Sequence, residues 1–267
     1  MDAGAIAGKL TQIIDGSGNS TTITYDSNGA PTGIIAPFGQ VTQLTVNDKG
    51  YLASITDPAT QSHFFTYSDD GLMQSMTDPR GGTFNFTYDI LGRLITDTNA
   101  LGNAQTLNRQ TIDNGFKVTL TSPLSRKIQH LVQKMPIGDK VRTLVGADGE
   151  STQSVEEKKG TVTTTTPDGT VTTLVKGPDP RFKMQSPLPK SLKIKVPGIS
   201  LFQSTLSRTV TQSNPNDPLT LTSLTDNITI NGKTGSAYFD AIGRTLTTTS
   251  PLGRQIISTV DSLMRTT

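Results

Sequence analysis

Glycine recurs in this chain with a fixed step of 21 residues, at Gly8, Gly29, Gly50, Gly71 and Gly92, and a second series keeps the same step at Gly18, Gly39, Thr60, Gly81 and Gly102. A period of this size means that one supersecondary unit is repeated, each copy burying its apolar side only against its neighbours. Ahead of the first series stand Tyr25-Asp26, Val46-Asn47, Tyr67-Ser68 and Tyr88-Asp89. Ahead of the second stand Asp15, Ala36, Asp57, Asp78 and Asn99, with proline following at Pro37, Pro58 and Pro79. Glycine supplies the positive φ that closes a tight hairpin, and a preceding Asp or Asn accepts backbone N–H groups across the turn. Proline presets the turn and cannot donate to a ladder. The punctuation therefore reads strand, turn, strand, turn, with strands of about six or seven residues, roughly 20 Å long.

Between the turns the segments alternate as strands do, most plainly in Thr83-Phe84-Asn85-Phe86-Thr87-Tyr88, whose aromatics fall on one face. Stepping by the period stacks like on like: Tyr25, Val46, Tyr67 and Tyr88; Ile23, Leu44, Phe65 and Phe86; and, on the returning strand, Leu10, Pro31, Leu52, Met73 and Leu94. Same-column residues stand two strands apart, about 10 Å, so the apolar face is built one hairpin at a time. The fold class that follows is all-β, a tandem meander of β-hairpins. Its structural turn residues are Gly8, Gly29, Gly50, Gly71, Gly92 and Gly243, and its repeat core is Tyr25, Tyr67, Phe86, Tyr88 and Phe239.

After Gly102 the step lengthens by two residues, giving Gly115 and the turn Ser122-Pro123-Leu124-Ser125-Arg126. The pattern then weakens, and returns at Phe239-Asp240-Ala241-Ile242-Gly243-Arg244 with its partner turn Ser250-Pro251-Leu252-Gly253-Arg254. The chain thus reads as one continuous array: regular repeats over 1–126, diverged β repeats over 127–235, and returning repeats over 236–267 that stop in mid-hairpin at Val260-Asp261-Ser262-Leu263-Met264-Arg265. Within the middle, Thr161 to Thr173 around Pro167-Asp168-Gly169 reads as a polar hairpin, and the proline- and lysine-rich 177–197 as an excursion off the sheet. Lys193 and Lys195 alternate there with Leu192, Ile194 and Val196, which marks the solvated side of a strand.

Composition removes most chemical classes. The absence of cysteine excludes disulfides, thiolate zinc and a cysteine nucleophile together. A formal charge of +2 gives no field toward nucleic acid, and no apolar run is long enough to insert in a membrane as a helix. His63 and His130 are the only imidazoles, and neither has a partner at ligand or triad spacing; His63 falls in the column of Phe84 and reads as wall-lining. Asp57 and Asp78 sit beside prolines at turns and read as caps rather than as a carboxylate pair. Asp15-Gly16-Ser17-Gly18-Asn19 lacks the glycine a calcium loop needs at its sixth position, and Gly232-Lys233-Thr234 has Asn227 where a phosphate loop needs its first glycine. Asn19-Ser20-Thr21, Asn85-Phe86-Thr87 and Asn227-Ile228-Thr229 fit the glycosylation sequon. No catalytic, metal or cofactor residue is expected, and the chain is not expected to be an enzyme.

The segment Tyr88-Asp89-Ile90-Leu91-Gly92-Arg93-Leu94, echoed by Phe239-Asp240-Ala241-Ile242-Gly243-Arg244, resembles the signature of the YD or rearrangement-hotspot (RHS) repeat family. That resemblance implies the repeats of polymorphic toxins, of cocoon subunits in insecticidal toxin complexes and of teneurin shells, where a spiralling β-sheet encloses another segment. It implies a structural shell segment, secreted or at the cell surface as part of a larger protein, whose partners are further repeats of a parent or partner shell and an enclosed cargo polypeptide. The self-cleaving aspartyl segment of the toxin relatives has no counterpart here, so none of its residues carries over. The competing expectation is an extracellular adhesion module whose stacked tyrosines and threonines bind glycan or a protein surface.

Overall fold

The computed structural model describes residues 8–262 and 265–267, so Leu263 and Met264 of the last half-repeat lie outside the described residues. Among the described residues there are 22 strands and no helix. Two compact units divide the chain, one formed by 1–108 with 119–127 and the other by 109–118 with 128–267. The sequence reads as a single array that changes character after residue 126. In a meander the backbone ladder joins each strand only to its neighbours.

In the first unit the strands Gln12–Ile14, Ser20–Tyr25, Pro31–Ile35, Val41–Val46, Leu52–Thr56, Ser62–Tyr67, Met73–Thr77, Thr83–Tyr88 and Leu94–Thr98 follow one another as antiparallel neighbours. The ladder continues onto the start of Ala104–Ile112. Three successive periods contribute an apolar pair across the ladder, Ile23 facing Ile34, Leu44 facing Ile55 and Phe65 facing Met76, whereas in the fourth Phe86 faces Asp97. The opposite face carries hydroxyls. Thr45 Oγ1 lies 2.7 Å from Ser54 Oγ, and Thr66 Oγ1 2.6 Å from Ser75 Oγ. Ser54 is buried, whereas most apolar side chains of these strands are only half-buried, as befits a sheet face flanked by neighbours without a second layer over it.

A regular bulge, invisible in the glycine pattern, sits beside each Tyr-Asp turn. The register slips by one residue at Thr24/Tyr25, Thr45/Val46, Thr66/Tyr67 and Thr87/Tyr88. An extra residue on the returning strand twists the ribbon locally at the same place in every period.

The second unit continues in the same style from Lys127–Lys134 through Lys140–Val145, Ser151–Glu156, Thr161–Thr165, Val171–Asp179, Lys183–Lys195, Phe202–Gln212, Leu221–Ile230, Lys233–Asp240 and Thr245–Thr249 to Gln255–Thr259. The expected excursion at 177–197 is not a loop. Val171–Asp179 and Lys183–Lys195 pair along most of their length, with register shifts between Val175 and Lys176 and between Gly177 and Asp179. Prolines 178, 187 and 189 fit because bulges relieve the ladder of the donors that proline lacks. Lys193 and Lys195 are exposed and Leu192, Ile194 and Val196 half-buried.

Thr60 stands where the second series otherwise has glycine and is held at φ 64°. A β-branched residue is strained there, whereas glycine is free to adopt that conformation. Thr60→Gly is therefore expected to raise stability by about 1 kcal/mol, even though glycine gains freedom in the unfolded chain. A urea midpoint equal to or below that of the parent protein would contradict the strain.

Candidate functional site

The repeated element with the most defined chemistry is the turn itself. In the turn that begins at Asp89, Gly92 N–H donates to Asp89 O and Asp89 N–H to Arg93 O, each at 2.9 Å. Asp89 Oδ1 accepts from Leu91 N–H at 2.9 Å and from Arg93 N–H at 3.0 Å, while Oδ2 takes the Arg93 Nε–H at 2.7 Å. Asp26, Asp57, Asp78, Asn47 and Asn99 make the same pair of side-chain bonds to the second and fourth N–H groups after themselves. The Arg93 side chain first, then the N–H groups of Arg93 and Leu91, hold the Asp89 carboxyl below the ordinary carboxylate range. At Asp78 the Gly82 N–H has the same effect. Such carboxylates stay ionised and have their lone pairs committed, which suits a cap and not a general acid or base.

Gly8, Gly29, Gly50, Gly71 and Gly92 have φ between 73° and 84°. At Gly71 space matters as well, since a Cβ there would stand 2.8 Å from the Tyr51 ring, which itself packs 5.2 Å from Tyr67. Gly243 differs from its motif counterpart Gly92. The left-handed residue of that turn is Arg244, at φ 50°. Asp240 pairs with Thr245 without a register shift, so four residues lie in the loop and the strained position moves to the last of them. Gly115 is likewise displaced by Asn114, at φ 60°.

Tyr25, Tyr67, Phe86 and Tyr88 are half-buried on one face, and Phe239 is half-buried in the second unit. The Tyr25 hydroxyl donates to Leu10 O and the Tyr88 hydroxyl to Met73 O, each at 2.7 Å and 15 residues back along the chain. The tyrosine thus ties its hairpin to the one before it.

His63 and His130 lie in different units. His63, half-buried and opposite Ile55, borders a shallow depression of about 990 Å³ together with Asp78 and Arg80; His130 is exposed opposite Leu144. Among the described residues no three His, Cys, Asp or Glu side chains come together as metal ligands.

One polar cluster in the second unit has no signal in the sequence. Arg208 Nε and Nη2 each donate to Asp226 at 2.7 Å, and Nη1 donates to Asp179 at 3.1 Å. Asp179 is 2% exposed and also accepts from Arg181 N–H and Phe182 N–H, at 2.7 and 3.1 Å. Burial alone would raise the Asp179 carboxyl, but these N–H donors and Arg208 outweigh it and leave the group below its usual value; the Asp226 hydrogen bonds hold Arg208 further above its own. The cluster clasps the long hairpin to the strands beside it. Arg208 and Asp226 meet only because of the register between Phe202–Gln212 and Leu221–Ile230, which no short motif reports.

The sequence of residues 2–260 matches the Teneurin YD-shell family. The chain belongs to the teneurin YD-shell family. Among curated proteins, none matches the sequence. Of solved structures, this YD-shell chain is similar to TcdB2-TccC3 without its hypervariable C-terminal region at 10% identity and a TM-score of 0.26, over 92% of this chain and 18% of that one. It is similar to the Photorhabdus luminescens Tc holotoxin pore at 10% identity and a TM-score of 0.25, over 93% and 21%. For TcdB2-TccC3-Cdc42 the values are 11% and 0.25, over 94% and 19%. The YD-shell chain spans about a fifth of the length of each of these chains.

Proposed function

We propose that this chain is a wall segment of a longer YD-shell protein that encloses or presents a polypeptide cargo outside the cell, joins further repeats of the same kind, and performs no catalysis itself. The observation that carries this reading is the family match over 2–260 on a chain whose repeated polar residues cap turns instead of converging. Tyrosine hydroxyls tied to backbone carbonyls favour a wall over a glycan platform, which would hold its aromatic rings and hydroxyls free.

The test is limited proteolysis of the natural full-length protein. Segments outside the repeats are expected to resist cleavage until the repeats are unfolded by denaturant. Cleavage of those segments at the same rate before and after unfolding would reject enclosure. A second measurement addresses catalysis: purified chain incubated for days with protease inhibitors is expected to keep its intact mass. A defined internal cut abolished by replacing one aspartate would overturn the non-catalytic reading.

A further inference from the structure

A hollow of about 690 Å³ opens in the second unit, with Leu219, Leu221, Leu224, Phe239 and Leu246 among its lining residues. That volume lies within the range of small-molecule sites. Two cations border it, Arg181 and Arg244. The Arg181 guanidinium lies 4.9 Å from the Phe182 ring centroid, and its Nε–H is buried without an acceptor. Arg181 makes no ion pair among the described residues. Arg244 is exposed and makes no ion pair among the described residues. The acid at the hollow, Asp261, accepts from Arg265 Nε at 2.7 Å and from Arg265 N–H at 3.0 Å, so its charge is already answered.

An apolar cavity with unanswered cations selects a ligand with an apolar body and an anionic head. We propose that the hollow binds a fatty carboxylate, its chain lying against the leucines and Phe239 and its head group taken by Arg181 and Arg244. A peptide bearing an acidic side chain offers the same charge, but each of its residues also brings a backbone N–H and C=O that needs a partner. The strands beside the hollow already spend theirs in the ladder, where Leu224 faces Phe239 and Phe239 faces Leu246. A methylene chain makes no such demand. This inference does not depend on the wall role.

Isothermal titration of the full chain with dodecanoate, below its micelle concentration, is the test. Saturable binding at one site is expected, with 1-dodecanol at least tenfold weaker because it lacks the charge. Arg244→Gly is the decisive variant. Glycine is at ease at φ 50°, so the fold is kept or strengthened, while the cation is lost. About tenfold weaker dodecanoate binding with an undiminished unfolding midpoint supports the proposal, and Arg181→Met should weaken binding to a similar degree. Unchanged affinity in both variants would overturn it. So would binding of an acetylated, leucine-rich, glutamate-bearing peptide in place of dodecanoate, which would assign the hollow to a polypeptide.

Discussion

Gly115→Ala is expected to be among the most damaging single-methyl changes in this chain, costing about 3 kcal/mol. Gly115 opens the strand Gly115–Thr121, and a Cβ built on it would stand 1.9 Å from Val132 O and 2.9 Å from Gln133 Cα. Both are backbone atoms, so no rotamer change relieves the clash and the strands must part. Gly102→Ala is the control. Gly102 has φ 79° but nothing within 4 Å of the added carbon, so only the left-handed backbone is penalised, by about 1 kcal/mol. Gly71→Val should fall between them, since the Tyr51 ring in its way can turn aside. Urea unfolding of the three variants gives the ranking directly. Equal midpoints for Gly115→Ala and Gly102→Ala would show that close approach at Gly115 is not limiting.

Arg208→Met should cost roughly 3–5 kcal/mol, because it leaves the buried Asp179 carboxylate without its cation. Methionine preserves most of the side-chain volume, so the loss reports the charge. The same cluster makes stability depend on pH in a defined direction. Asp179 has a folded value below its unfolded one, so its contribution is fully present above the unfolded value of about 3.9 and is lost as pH falls through the folded value. The turn caps Asp78 and Asp89, also lowered, add to the loss over the same acid range. Denaturation midpoints measured from pH 7 down to pH 2 should decline below about pH 4, and less steeply in Asp179→Asn, which no longer has that proton to gain. A decline of the same steepness in parent and variant would remove Asp179 from the account.

The regular turns were legible because everything that makes them is local. A left-handed backbone at the fourth position and an Asx oxygen reaching the second and fourth N–H groups lie within five residues, so Asp89 to Arg93 announces its conformation without reference to the rest of the chain. Alternation gave the strands and their apolar face for the same reason: side chains point to opposite faces with period two. The resemblance carried by Tyr88 to Leu94 gave the family.

Three features waited for the tertiary structure. The segment 177–197 is rich in proline and lysine, which locally argues against a strand, yet the bulges after Val175 and Gly177 accommodate the prolines in a paired ladder. Gly243 repeats the motif of Gly92, but the bulge at Thr87/Tyr88 has no equivalent between Lys233–Asp240 and Thr245–Thr249, so the strained position passes to Arg244. Arg208, Asp179 and Asp226 are unremarkable as separate residues and become a clasp only when strand register brings them to one place. Backbone conformation at a turn is set by neighbours in sequence, and the sequence alone determined it; register, bulges and charge pairing are set by neighbours in space, which only the assembled sheet decides.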